Sequence, residues 1–188
     1  MFENLKQDWE VYERDIWRQG LWVMVAYRFG RWRYTVNARL LRAPLSFIYK
    51  LLKITSQILT GIDLPCEVTV GRRLKIEHFG DIIISGDTVI GDDVVLRNGV
   101  TIGLRRTGVR GAPRIGNRVD IGAGAKILGD IAIGDDVAIG ANAVVLKDVP
   151  ANSIAVGIPA TIKTRNPQEI QMVETLAVNN LINTTQLF

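Results

Sequence analysis

Through the middle of this chain every sixth residue is aliphatic, and few folds can use that period. Ile84, Ile90, Leu96 and Ile102 stand six apart, and Ile115, Ile121, Ile127, Ile133, Ile139 and Val145 repeat the spacing. Glycine follows the aliphatic at Gly91, Gly103, Gly116, Gly122, Gly134 and Gly140. Four places after each aliphatic comes a second small or branched residue, as at Val94, Val119, Ala125, Val137 and Ala143. On an α-helix such a repeat would wander around the axis, and an ordinary two-faced strand has period two. A triangular coil satisfies it: each hexad is one side, three make a turn, and stacked turns pair their strands in parallel. The expected core is therefore all-β, a parallel β-helix of hexapeptide repeats. Its aliphatics stack inside, and glycine lets the backbone bend beside each corner.

The breaks in register locate what is not coil. Val70, Ile76 and Ile82 keep the period but the next set starts at Ile84, a slip near His78, Phe79 and Gly80. Ile102 and Ile115 are 13 apart, so residues 104–113 (LRRTGVRGAP) loop out as a mobile basic arm carrying Arg105, Arg106 and Arg110. Three parts are expected: a helical, basic and aromatic segment over 1–60, a β-helix domain over 61–163, and a tail over 164–188. Gly30 and Ala43-Pro44 read as breaks between N-terminal helices, and Asn166-Pro167 opens a candidate helix in the tail.

Composition excludes several classes of function. The single cysteine, Cys66, rules out an internal disulfide, and without a Cys/His cluster no metal site is proposed. The acidic, polar N-terminus is unlike a secretory signal, and no apolar run is long enough to span a bilayer, which makes the cytoplasm the expected location. The net charge of +4 is unevenly spread: from Ile16 to Gly61 there is no Asp or Glu, while Arg18, Arg28, Arg31, Arg33, Lys50 and Lys53 are among the basic residues. Trp17, Trp22, Tyr27, Trp32, Tyr34 and Tyr49 lie among them. One reading is a helical cap with solvated arginines. The other is peripheral contact with the anionic, cytoplasmic face of a membrane, preferred over nucleic acid because no DNA- or RNA-reading motif accompanies the patch.

Over about Asp63 to Lys163 the chain resembles the serine acetyltransferase family of hexapeptide-repeat acyltransferases. The resemblance is carried by IEHFGDIIIS, GVTIGLRRTG, IGAGAKILGDIAIGDDVAIGANAVV and VGIPA. GRR before the histidine and NGVTIG are similar to the short exopolysaccharide branch of colanic-acid type. The resemblance implies a left-handed coil, a homotrimer, and acetyl-CoA as co-substrate in a groove between subunits. It implies that His78 is the general base and that Asp63, fifteen residues earlier, orients it. Gly103, Ala123 and Ala141 match the positions whose backbone lines the pantetheine arm, and a backbone N–H near Gly103 would serve the oxyanion. Arg114 and Lys163 are candidates for the nucleotide phosphates, and VGIPA for the adenine end.

The chemistry suits those residues. Moving an acetyl group from a thioester to an alcohol needs a base as the new bond forms, and histidine works near neutral pH. His78 is the only histidine and sits at the register slip. With one coil near 18 residues, a carboxylate fifteen back falls in the neighbouring turn, where it can fix one ring nitrogen as protonated. Cys66 reads as packed rather than nucleophilic. The acceptor side departs from the serine enzymes: their second histidine, before a proline, is here Ala112 before Pro113, and the preceding arginine is Gly111. The helical segment is shorter, and the tail ends in Leu187-Phe188 without the terminal isoleucine that docks cysteine synthase. The expected function is O-acetylation of a sugar hydroxyl, on a small-molecule or lipid-linked acceptor, in exopolysaccharide or surface-glycan synthesis. The rivals are serine O-acetylation and a catalytically silent scaffold.

Overall fold

The structure, a computed structural model, describes residues 2–164 except 107 and 110. The candidate tail helix and Arg110 lie outside the described residues. Three α-helices come first: α1 (Phe2–Val11), α2 (Gln19–Trp32) and α3 (Arg39–Thr60), the last closed by Gly61 in the left-handed conformation at φ 67. Strands then follow in threes. The first turn is β1 (Ile62–Asp63), β2 (Thr69–Val70) and β3 (Lys75–Ile76); the second is β4 (Ile82–Ile84), β5 (Val89–Ile90) and β6 (Val95–Leu96). The third is β7 (Thr101–Gly103), β8 (Arg114–Ile115) and β9 (Asp120–Ile121); the fourth is β10 (Lys126–Leu128), β11 (Ala132–Ile133) and β12 (Ala138–Ile139). β13 (Val144–Val145) and β14 (Ser153–Val156) end the coil, and β15 (Thr161–Thr164) turns back antiparallel on β14.

Every third strand pairs in parallel, giving a first face β1-β4-β7-β10-β13, a second β2-β5-β8-β11 and a third β3-β6-β9-β12-β14. This is the parallel β-helix the period called for, with the left hand the resemblance implied. Ile121 stacks on Ile139 and Ile127 on Val145, each 3% exposed or less. The pairing measures each turn. Ile115 pairs with Ile133, eighteen residues on; Ile76 pairs with Leu96, twenty on; Ile90 pairs with Ile115, twenty-five on. The slip at His78 is thus a two-residue expansion of one corner, and the basic loop adds seven.

Two local expectations change. Glycine after the aliphatic is needed for close stacking, not for bending: a Cβ on Gly122 would lie 2.6 Å from Ala141 N in the next turn. The left-handed bends fall two residues later, at Asp93, Arg118 and Asp136 with φ 59, 54 and 59. Nor do Gly30 and Ala43-Pro44 break helices. α2 runs through Gly30, which lets Cys66 approach (2.7 Å from Cys66 Cβ to an added Cβ), and α3 runs through Pro44. Pro44 leaves free the carbonyl of Leu40, on the exposed side of the helix. The break lies between, at the single 3₁₀ turn of Arg33–Thr35 and the residues after it.

The helices close the open end of the coil by standing in for a missing turn of strand. Tyr27 Oη donates to Val68 O (2.8 Å) and accepts from Val70 N (3.1 Å). Tyr12 Oη does the same with Leu74 O (3.4 Å) and Ile76 N (2.9 Å), and Tyr49 Oη accepts from Cys66 N at 3.0 Å. Arg28 donates to Gly71 O at 2.8 Å while its Nε meets buried Asp8 at 2.9 Å. Backbone groups that an end strand would bury unpaired are thereby satisfied. Of the basic, aromatic segment, Tyr27, Arg28 and Tyr49 are thus spent inside the protein.

Candidate functional site

Three edges separate the faces, and they differ in chemistry. The edge between the second and third faces is a polar ladder. Arg72 N donates to Asp92 Oδ1, Asp92 N to Asn117 Oδ1, and Asn117 N to Asp135 Oδ1. These N–H donors hold the Asp92 and Asp135 carboxyls below the ordinary range. The edge between the first and second faces carries the loop over 104–113, with Arg105 and Arg106 exposed. The edge between the third and first faces carries His78.

That last edge is a column of corners. Gly99 N donates to Gly80 O (2.9 Å), Gly124 N to Asn98 O (2.8 Å) and Asn142 N to Ala123 O (2.8 Å). His78, Asn98, Ala123 and Ala141 therefore succeed one another down the prism, one per turn. His78 is exposed, because the expanded corner, with Gly80 at φ 106 and Asp81 at φ 54, carries it outside the stack. Beneath it the small side chains of Ala123 and Ala141 leave an open, unobstructed edge. The structure thus brings together three of the residues singled out in the sequence.

The others lie elsewhere on this chain. Gly103 ends β7, opposite Leu128, and its carbonyl accepts from Gly129 N at 2.9 Å. Arg114 opens β8, exposed, just after the loop; Lys163 is exposed on β15. Both are on other elements than the His78 column. Asp63 lies on the first face, paired in register with Ile83, five residues beyond His78. Its Oδ1 stands 3.1 Å from Lys53 Nζ, and the described hydrogen bonds include none between Asp63 and His78. Cys66 is fully buried beneath Tyr49. Ala112 is buried and Gly111 adopts φ 119 at the foot of the loop.

Beside His78 opens a cavity of about 480 Å³, and half its wall was not foreseen. Trp17 and Arg18, in the link from α1 to α2, and Gln19, which opens α2, face Glu77, Phe79 and Asn98 across it. The link is fixed by Trp22 Nε1, which donates to Ile16 O at 2.7 Å, and by Asp15, whose Oδ1 accepts from Trp17 N at 2.9 Å. Gly20 seats α2 on the coil, since an added Cβ would lie 2.7 Å from the Tyr12 ring and 2.8 Å from Ile76 O. Trp17 is left 80% exposed over the opening. Glu77 is balanced by Arg97 (3.1 Å) and Lys75 (3.5 Å). No motif marks these residues. The one signal was a tryptophan beside arginine in a segment without acids, which has no fixed relation in sequence to His78.

The arrangement offers an exposed imidazole, a solvent-open cavity on one side, and an edge of small residues below. Comparison with known proteins gives this a context. A family model described as "Bacterial transferase hexapeptide (six repeats)" matches residues 112–147. The serine acetyltransferase of Mycobacterium tuberculosis is 40% identical over 76% of this chain, which spans only 60% of that enzyme's length. WcaB of Escherichia coli K12, named as an acetyltransferase of colanic acid biosynthesis, is 39% identical over 75% of this chain and 88% of its own. The crystal structure of serine acetyltransferase from Brucella abortus strain S19 in complex with coenzyme A superposes with a TM-score of 0.75 at 28% identity, covering 87% of this chain and 68% of that one. By fold, by repeat and by its likeness to a relative it nearly spans, this chain belongs to the hexapeptide-repeat acetyltransferases, the group that contains the serine acetyltransferases and WcaB.

Proposed function

We propose that this protein transfers the acetyl group of acetyl-CoA to a hydroxyl of a sugar, with His78 as the general base. The imidazole takes the hydroxyl proton as the oxygen attacks the thioester carbonyl carbon. The tetrahedral intermediate then collapses, the C–S bond breaks, and the imidazolium returns the proton to the departing thiolate. Asp63 is the positioning residue in this reading. Ala123 and Ala141 border the pantetheine path along the His78 edge. Gly103, Arg114 and Lys163 enter the donor site from a neighbouring copy in a homotrimer, since on one chain they lie away from that column. Serving a lipid-linked acceptor would bring the enzyme to the anionic cytoplasmic face of a membrane.

The observation that carries the sugar reading is the wall of the cavity at His78. It is wide and framed by the exposed ring of Trp17, a surface on which the C–H face of a pyranose stacks. A small zwitterion such as serine needs paired groups for its carboxylate and ammonium, and at two positions where the resemblance places such groups Gly111 and Ala112, at the foot of the loop, supply no side-chain donor. The test is release of free CoA from acetyl-CoA, with methyl hexopyranosides and L-serine offered separately. Transfer to a glycoside with little to serine is expected. Efficient acetylation of serine at millimolar concentration, with none of any glycoside, would replace this reading with serine O-acetylation.

A further inference from the structure

Helix α3 is packed inside out. The side that faces the protein is polar: Ser46 Oγ accepts from Arg33 Nη1 (2.8 Å), Lys53 pairs with Asp63, Tyr49 Oη binds Cys66 N, and Thr60 Oγ1 accepts from Ile62 N (3.2 Å). Residues 46, 49, 53 and 60 share one helical face. The opposite face holds Leu40, Phe47, Leu51, Ile54 and Ile58, all exposed, Leu40 by 92% and Ile58 by 77%. Leu41, Ile48, Leu52 and Leu59 widen it on one side. There it runs into an apolar groove of about 540 Å³ between α3 and the first two helices, lined by Trp9, Trp22, Val25, Leu52 and Leu59. Amphipathic helices normally turn the apolar side inward. This one is built to present it.

We infer that α3 lies flat in the headgroup region of an anionic bilayer, apolar face down. Charge decides between a membrane and a second copy. α3 contains no Asp or Glu, and none occurs from Ile16 to Gly61. Pairing α3 with its own copy would bring basic flanks such as that of exposed Lys50 together with no acid on either helix to offset them, whereas an anionic surface complements them. Width agrees: a helix-pairing seam is two stripes broad, and here a third stripe through Leu52 and Leu59 continues to Trp9 and Trp22, residues suited to the interface. No helix among the described residues is long and apolar enough to cross a membrane, so the contact is in the plane. Lys53, on the inner side of the same helix, reaches Asp63, the residue proposed above to position His78. The inference rests on the membrane contact proposed above but not on the acceptor.

The test is flotation of the full chain with vesicles of phosphatidylcholine, pure or with about one-third phosphatidylglycerol. The wild type is expected to float with the anionic vesicles, less so as salt rises. Phe47→Asp with Leu51→Asp, and separately Leu40→Asp, should cut vesicle binding by at least about tenfold and threefold, with molar mass by light scattering and transfer to a soluble glycoside unchanged. Lys50→Glu should weaken the preference for anionic vesicles. Undiminished flotation of these variants, or no flotation of the wild type, overturns the inference. So does a fall in molar mass on substitution, which would make the face an interface between copies. Loss of glycoside transfer in the wild type would instead strike the acceptor reading.

Discussion

Lys53 Nζ stands 3.1 Å from Asp63 Oδ1, so the carboxylate proposed to orient His78 is held by a lysine of α3. Both side chains are about one-third exposed, 32% each, and solvent screens the pair. Three substitutions separate the roles. His78→Ala should lower kcat by at least about a hundredfold with the fold intact. Asp63→Asn should cost less than His78→Ala, since the base survives without its support. Lys53→Met should stay within about threefold if Asp63 acts on His78 directly. A loss in Lys53→Met matching that of Asp63→Asn would show that the ion pair, not the Asp-His pair, shapes the site.

The tyrosine caps make stability sensitive to alkali. Burial raises the Tyr27 hydroxyl above its ordinary value of 10.0, and Tyr12 shifts the same way for the same reason. A group whose pKa is higher folded than unfolded contributes stability that is intact below the unfolded value and is lost as pH rises beyond it. The thermal midpoint should therefore hold up to about pH 10 and fall above it. Tyr27→Phe should flatten that fall. It should also lower stability by about 1–3 kcal/mol at neutral pH, because Val68 O and Val70 N lose their buried partner.

The repeat was legible because inward aliphatics and stacked glycines recur at fixed sequence distance, and even the lengths of the irregular turns followed from breaks at His78 and Leu104. The cap was not. Tyr27 and Tyr12 bind backbone groups some 41 and 62 residues away, which no local pattern encodes. α3 shows the limit of hydrophobic patterning itself: the usual rule would bury Leu51 and expose Lys53, yet Leu51 is half exposed while Lys53 turns inward to Asp63. Trp17 reaches the cavity only because Gly20 lets α2 press on Ile76, a tertiary fact.

The buried pair of Asp8 and Arg28 offers a sharp stability test. Asp8 is 0% and Arg28 5% exposed, and removing one partner leaves a charge in the interior. Asp8→Ala should destabilise by about 3–5 kcal/mol. Asp8→Asn, which still accepts a hydrogen bond from Arg28, should lose less. Equal losses in denaturant titrations would mean that the charge alone counts and that the hydrogen bond kept by asparagine contributes nothing.

Gly20 couples fold to site. In Gly20→Ala the new methyl meets the Tyr12 ring and Ile76 O, so α2 must lift. Trp17 and Arg18 then move relative to His78. KM for a glycoside acceptor should rise more than KM for acetyl-CoA, with a lowered thermal midpoint. An unchanged acceptor KM despite the lowered midpoint would remove the α1–α2 link from the acceptor site.

The edge below His78 gives the last test, because it separates a donor groove from the interior beside it. Ala141 is exposed at its corner while Ala125, on the same pair of faces, is 0% exposed inside the coil. Enlarging the two should therefore fail in different ways. Ala125→Leu forces three extra carbons into a close-packed stack and should destabilise by about 1–3 kcal/mol or more. Ala141→Leu adds the same volume where only solvent stands on this chain, so its thermal midpoint should stay near that of the wild type. If the pantetheine arm runs along this edge, the leucine blocks it: KM for acetyl-CoA should rise at least about tenfold while KM for the acceptor holds. Ala123→Leu, one turn nearer His78 in the same column, should raise it further and lower kcat as well. An Ala141→Leu enzyme with unaltered acetyl-CoA kinetics would place the donor on another edge, and Gly103 and Arg114, beside the basic loop, would become the residues to test.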